Sequence, residues 1–245
     1  MKKVTQIRFI GGNKYELFIE NIKYIFYADT LVKNNLLKPR DLSETEIIEI
    51  VDYNNYLLGY EKALKFISYK KRTEKEVKEK LKSLGISEKI SNKTILKLKE
   101  NNYLNKDDYL KSFINDRVKL SLKGPYKIKN ELLTLGFNEN EINKYLNNIN
   151  NEVWINKINE IINKRIKSNR SLSKKMFLYQ LSNYLFNEGY DKNIYDSIVS
   201  KIHVDESEIY QNEYNKLFKK YKNKYPKEIL DIKIKDKLIK LGFDI

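Results

Sequence analysis

Residues 107–137 read DDYLKSFINDRVKLSLKGPYKIKNELLTLGF, and the placement of the apolar positions within them decides the fold. Leu110, Phe113, Ile114 and Val118 fall at the three- and four-residue spacing of one helix face. Gly124-Pro125 interrupts that pattern, and Ile128, Leu132, Leu133 and Leu135 resume it, so the stretch is a helical hairpin with Pro125 in the first turn of its second helix. The hairpin closes on Leu135-Gly136-Phe137. A Gly there takes the positive φ that ends a helix, and the apolar residue after it packs back. The same punctuation stands at Leu84-Gly85-Ile86, Glu188-Gly189-Tyr190 and Leu241-Gly242-Phe243, which puts the four glycines 51, 53 and 53 residues apart. A period of about fifty residues with room for three short helices predicts a tandem helical repeat, in which each copy completes its neighbour's core.

Outward from the hairpin, the first copy carries Tyr60, Ala63, Leu64 and Ile67 on one helix. Thr73-Glu74-Lys75-Glu76 then has capping-box spacing before Val77, Leu81 and Leu84, and Ser87 caps a helix with Ile90, Ile95 and Leu98 inward. The second copy ends in a helix capped by Asn138, with Ile142, Tyr145, Leu146 and Ile149 inward. The third has Trp154, Ile158, Ile161 and Ile162, then Phe177, Leu178, Leu181 and Leu185, then Ile194, Ile198 and Ile202. A fourth begins at Ile209 with Tyr210, Tyr214, Leu217, Phe218 and Tyr221, restarts at Pro226, and is a two-helix cap. The beginning of the chain alternates instead. Ile7 and Phe9, then Tyr15, Leu17 and Ile19, then Tyr24 and Phe26 predict a three-stranded meander, with Gly11-Gly12 as a hairpin turn. No Gly-Lys-Ser/Thr follows those glycines, so they do not read as a phosphate loop. Short helices are expected around Leu31–Leu36 and from Glu44 to Tyr53, the second opened by the capping-box spacing of Ser43-Glu44-Thr45-Glu46. The expected division is a β-meander/α module over residues 1–54, three-helix repeats over 55–104, 105–150 and 151–204, and a partial repeat over 205–245.

Composition closes off most chemistry. The chain of 245 residues has no cysteine and one histidine, His203, which excludes disulfides, thiol catalysis and thiolate or polyhistidine metal sites. No cofactor or metal is expected. Asp107-Asp108, at a helix start and without histidine company, reads as capping and dipole chemistry. Trp154 and the helically spaced tyrosines read as core, and a surface tyrosine beside lysines as a base-stacking candidate. No apolar run approaches the roughly 18 residues of a membrane span, and a cytoplasmic protein is expected. The net charge is +15, from 48 basic and 33 acidic residues. A codon bias toward Lys, Asn, Ile and Tyr is one source of such charge. The placement is uneven, however: residues 1–58 hold 8 basic and 8 acidic groups, residues 59–105 hold 13 and 6. Positive repeats beside a neutral module point to a polyanionic partner, nucleic acid or a nucleoprotein assembly.

Two segments carry a family resemblance. Ala63-Leu64 and Phe66–Val77 (FISYKKRTEKEV), with Leu81 and Gly85, resemble the first-repeat signature of the RecX family, regulators of the RecA recombinase. Tyr103-Leu104, Asp107-Asp108-Tyr109, Phe113, Arg117, Gly124, Ile128, Glu131-Leu132 and Gly136-Phe137 resemble the second-repeat signature. The neutral N-terminal segment is similar to the extension of Gram-positive members, and the tail to the extra partial repeat of longer ones. The resemblance implies a mainly α fold, an elongated, curved solenoid of three-helix units, without a catalytic site. It also implies a monomer that lies along the groove of the RecA filament on single-stranded DNA and antagonises its assembly or activities.

Where family members often place arginines after the Phe of the second repeat, this chain has Arg117 but also Lys119, Lys123, Lys127 and Lys129, and only six arginines in all. Lysine keeps the charge and loses the bidentate fork, so the patch carries over better than any single contact. Lys70, Lys71 and Arg72 sit in one inter-helix turn, and Lys119, Lys123 and Lys127 flank the corresponding turn one repeat later. A third basic segment, Arg165–Lys175, is longer than its counterparts. The candidate contacts to the filament or its DNA are therefore Lys70, Lys71, Arg72, Arg117, Lys119, Lys123, Lys127, Lys129, Lys164, Arg165 and Arg170. A solvated helix end is the alternative for any one lysine, and Arg117 can equally pair near Asp116 or with the next helix. Two rivals stand beside filament binding: direct DNA binding by helix-turn-helix-like units, and a scaffold for another acidic protein.

Overall fold

The computed structural model describes residues 1–244; Ile245, the last position assigned to the fourth copy, lies outside the described residues. The chain divides into two compact units, Met1–Tyr109 and Leu110–Ile245.

The first unit opens with strands β1 (Lys2–Gly11), β2 (Lys14–Ile19) and β3 (Ile22–Tyr27), joined by tight turns at Gly11-Gly12-Asn13 and Glu20-Asn21. The Gly11-Gly12 hairpin is as expected, with both glycines at positive φ. Helix α1 (Ala28–Lys33) follows, and then a two-residue strand β4 (Asp41–Leu42), which pairs with Lys2 and Lys3 to give a sheet ordered β3-β2-β1-β4. The expected three-stranded meander is present as β1-β2-β3, and β4 adds a fourth strand that the sequence does not show, since two residues are too few for alternation to reveal a strand. The helix expected over Leu31–Leu36 stops earlier, because Asn35 adopts φ 53° and lets the Leu36 amide return to the Leu31 carbonyl at 2.8 Å. Leu36 is thereby buried with Val4, Leu17, Ile19, Phe26, Leu31, Leu42 and Ile50.

A larger correction concerns helix α2 (Glu44–Tyr69), one continuous 26-residue element where two helices are expected. Its start is as predicted: Ser43 accepts from the Glu46 amide and Glu46 accepts from the Ser43 amide. The apparent break at Asn54-Asn55 is no break, because Asn54 is buried and its side-chain amide makes three hydrogen bonds. Its Oδ1 accepts from the Tyr27 amide at 2.9 Å and from the Thr30 hydroxyl at 3.2 Å, and its Nδ2 donates to the Ile25 carbonyl at 3.1 Å. A polar residue that looks like a terminator is a bolt between sheet and helix. Helices α3 (Glu74–Ser83) and α4 (Glu88–Glu100) pack with α2 around Ala63, Val77, Leu81, Ile86, Ile90, Ile95 and Leu98.

Helix α5 (Lys106–Leu120) starts in the first unit, with Asn105 capping the Asp108 amide, and its remainder opens the second. The second unit continues with α6 (Pro125–Thr134), α7 (Glu139–Leu146), α8 (Asn151–Ser168), α9 (Lys174–Asn187), α10 (Lys192–Val199), α11 (Ser207–Tyr221) and α12 (Lys227–Lys240). Trp154, Ile158, Ile161, Ile162, Phe177, Leu181 and Leu185 are buried as expected. Leu133 is not; it is 40% exposed. In α10 the inward residues are Tyr195 and Val199, with Ile194 and Ile198 only half-buried and Ile202 beyond the helix. The large Tyr195 ring takes the inside of a helix two turns long. Pro226 is the residue before α12 and not within its first turn.

The four punctuating glycines behave alike. Gly85, Gly136, Gly189 and Gly242 have φ of 75°, 93°, 82° and 86°. After each, the next residue's amide reaches back to a buried leucine: Ile86 to Leu81, Phe137 to Leu132, Tyr190 to Leu185 and Phe243 to Leu238. This is the Schellman arrangement with its apolar closure. In the second unit the turns also join successive helix sets. The Gly124 amide donates to the Glu188 carbonyl at 2.7 Å, the Tyr126 amide to the Gly189 carbonyl at 3.0 Å, and the Tyr190 hydroxyl to the Leu122 carbonyl at 2.8 Å. One set later, the Ser173 hydroxyl donates to the Leu241 carbonyl at 2.7 Å. The residue that caps the second helix of one set is seated on the glycine turn of the next.

Candidate functional site

The candidate basic residues fall into two groups by what neutralises them. In the first unit, Lys71 pairs with Asp108 at 2.6 Å. Arg72 pairs with Glu76 at 3.1 Å and lies over the Phe66 ring at 3.9 Å from its centroid. Asp108 thus has a second task besides the first turn of α5. Lys70, the residue after α2, is exposed.

In the second unit Glu131 on α6 gathers two candidates. It accepts from Arg117 Nε at 2.7 Å and from Lys123 Nζ, which answers the open question about Arg117 in favour of the next helix. Burial raises the Glu131 carboxyl, but the hydrogen bonds from Lys123 and Arg117 outweigh it and hold the group below the usual carboxylate range. Arg117 also lies over the Phe113 ring at 4.6 Å. Lys127 pairs with Glu188 at 2.8 Å, and Lys129 with Glu139. Five carboxylates therefore answer the cations at 71, 72, 117, 123, 127 and 129. Such pairs are structural clips first, and they dilute the charge presented outward.

Lys119 and Lys164 are exposed, and among the described residues neither has a carboxylate partner. Arg165 lies over Tyr184, its guanidinium carbon 3.7 Å from the ring centroid, and among the described residues the one hydrogen bond of Arg170 is to the Asn169 carbonyl at 3.2 Å. Arg165 and Arg170 line one cleft together. Among the candidates in the second unit, those without a carboxylate partner are thus Lys119 and the three around the turn between α8 and α9.

Sequence reasoning names the cations and misses their counterions. Glu131 lies fourteen positions from Arg117 and Glu188 sixty-one from Lys127, separations at which no local pattern signals a pair. It also reads the helically spaced tyrosines as core, whereas three of those in α2 are only half-buried. Tyr53, Tyr56 and Tyr60 form a ladder with 6.2 Å between successive ring centroids, and Lys33 and Lys93 stand 3.8 and 4.8 Å over the first two. His203 is exposed. Among the described residues no group of three or more His, Cys, Asp or Glu side chains is placed to hold a metal, and no helix is long and apolar enough to cross a membrane.

Comparison with known proteins places this geometry. Residues 60–98 match the family description "RecX, first three-helix domain". The chain is 28% identical to the regulatory protein RecX of Staphylococcus haemolyticus (strain JCSC1435), over 99% of this chain and 94% of that one. It is 28% identical to the regulatory protein RecX of Staphylococcus aureus (strain JH9), over 99% and 92%. A crystal structure of a regulatory protein RecX superimposes with a TM-score of 0.68 over 82% of this chain and all of that one, at 21% identity, which speaks to the fold. RecX from Lactobacillus salivarius superimposes with a TM-score of 0.57 over 61% of this chain and 97% of its own, at 28% identity. With the first-repeat signature, full-length likeness to regulatory proteins and the helical fold in agreement, this chain is similar to RecX-family proteins along its whole length.

Proposed function

We propose that this protein binds the RecA filament on single-stranded DNA and restrains RecA activity, acting in the cytoplasm as a monomeric regulator without a catalytic site. The observation that carries this is the likeness along 99% of the chain to relatives named as regulatory RecX proteins. The charge supports it: +15 overall, with cations free of carboxylate partners at Lys119, Lys164, Arg165 and Arg170, is suited to an acidic nucleoprotein surface. Repeats over residues 55–104, 105–150 and 151–204, closed by a partial one from 205, offer such a partner several surfaces rather than one pocket.

The deciding experiment measures binding to RecA–single-stranded DNA filaments and to naked DNA at matched salt, across a salt titration. Filament binding should be the tighter and should weaken steeply as salt rises. Equal affinity for naked DNA would favour direct DNA binding instead, and binding indifferent to salt would leave codon bias as the source of the charge.

A further inference from the structure

The turn between α8 and α9 encloses a cleft of about 210 Å³ with an unusual lining. Arg165, Arg170, Ser168, Ser171, Asn169 and Gln180 supply its polar groups, Phe177 and Leu181 part of its apolar wall, and among the described residues no carboxylate lines it. This is the more telling because the chain has only six arginines and otherwise uses lysine for charge. Arg40, Arg72 and Arg117 each hold a carboxylate. Arg165 and Arg170, like the exposed Arg8, hold none among the described residues, and these two share one cleft.

The cleft is built rather than accidental. Stacking on Tyr184 fixes the Arg165 guanidinium. The Asn169 side chain accepts from the Leu172 amide at 3.0 Å and the Ser171 amide at 3.4 Å, and donates to the Leu172 carbonyl at 2.9 Å, which sets the turn that carries Arg170. Ser168 spends its hydroxyl on the Arg165 carbonyl at 3.0 Å. The turn's own hydrogen bonds are thus closed, while among the described residues no carboxylate faces the guanidinium donors. A cleft of this size is below the roughly 300–1,000 Å³ of sites that enclose a whole small-molecule ligand. It suits a single tetrahedral anion, and two forked donors match phosphate oxygens in a way that lysines do not.

We infer that this cleft seats one backbone phosphate of a nucleic-acid strand, with Arg165 and Arg170 as its ligands. The inference deepens the proposed function and rests on it for the source of the strand.

The test uses the full chain without RecA, so that it stands apart from the filament experiment. The probes are a fluorescent 15-nucleotide oligothymidylate, the same oligomer with uncharged methylphosphonate linkages, and inorganic phosphate. Arg170→Lys is the main variant, because Arg170 is exposed and its one described hydrogen bond is to the adjacent Asn169 carbonyl. It keeps the charge and removes the fork, and it should weaken binding to the phosphodiester oligomer by about fivefold or more. Lys222→Ala, which removes a whole charge outside the cleft, should weaken it less than about twofold. The phosphodiester oligomer and inorganic phosphate should each shift the Arg165 and Arg170 Nε–H NMR signals, and the uncharged oligomer should not. Unchanged affinity in Arg170→Lys, or an equal loss in Lys222→Ala, would overturn the site. Signals that move with inorganic phosphate but not with the oligomer would overturn the strand as its source. A wild-type protein that ignores RecA filaments while Arg170→Lys still loses oligomer binding would sink the filament proposal and leave the phosphate cleft standing.

Discussion

Gly124 and Gly189 meet backbone to backbone: a β-carbon added to Gly124 would stand 2.4 Å from the Gly189 oxygen, and one added to Gly189 would stand 2.4 Å from the Lys127 nitrogen. The two residues have glycine for different reasons. Gly124 has an ordinary extended backbone with φ −81° and lacks only space, whereas Gly189 combines φ +82° with the same crowding. Gly85 isolates the other factor, since it has φ +75° and nothing within 4 Å of an added β-carbon.

Three alanine variants separate these terms. Gly85→Ala should cost about 1–2 kcal/mol, the left-handed penalty alone. Gly124→Ala should cost about 1–3 kcal/mol from overpacking, and Gly189→Ala about 2–5 kcal/mol because both apply. Denaturant melts of the three proteins check the order; a Gly189→Ala protein no less stable than Gly85→Ala would refute the close approach.

Glu131 should act as the keystone of its cation pair. Replacing it by Gln leaves Arg117 and Lys123 facing each other and should destabilise the protein by about 1–2 kcal/mol near neutral pH. Because the carboxyl is held below its unfolded value of 4.5, its contribution is present above that pH and is lost as pH falls through the lower folded value. The stability gap between parent and Glu131→Gln should therefore close on acidification from about pH 6 to pH 3. A gap that does not change with pH would show that the charge of Glu131 contributes nothing.

Reversing Arg117, Lys123 and Lys127 to Glu looks from the sequence like a change confined to a polar surface. The structure predicts otherwise, since it sets three new carboxylates against Glu131 and Glu188. Thermal melts should show clear destabilisation of that triple variant. Lys119→Glu with Lys164→Glu should leave the melting temperature nearly unchanged and weaken filament binding, which makes the pair the cleaner probe of the proposed surface. Full filament affinity in the well-folded double variant would move the contact elsewhere.

Ser173 serves two helix sets at once: its hydroxyl caps α9 at the Met176 amide and donates to the Leu241 carbonyl. Ser173→Ala should cost about 1 kcal/mol, and hydrogen exchange should show the loss around residues 238–243 as well as at the start of α9. Faster exchange confined to α9 would argue against the link.

Much of this fold is legible in the chain, and the misses share a cause. Glycines spaced 51, 53 and 53 residues apart mark helix ends through local backbone strain, and the capping boxes at Ser43 and Thr73 and the cap at Asn138 are local as well; all of these stand in the structure. Asn54 misleads because its partners, Ile25, Tyr27 and Thr30, come from a strand and a helix more than twenty positions back. Strand β4 is missed because its pairing with Lys2 and Lys3 is a long-range event. For the candidate site, residue type and approximate surface are legible, whereas the division between clipped and free cations depends on carboxylates distant in sequence. Arg165 and Arg170 are visible as charges; the cleft between them is not.

The continuity of α2 carries a mechanical meaning. A helix of 26 residues is a strut about 39 Å long, and the buried Asn54 fastens the sheet to its N-terminal half while Ala63 and its neighbours embed the other half in the first three-helix bundle. The N-terminal module is therefore no accessory on a tether. Whatever grips the sheet grips the first bundle with it, and a torque applied at one end of the strut reaches the other without an intervening joint.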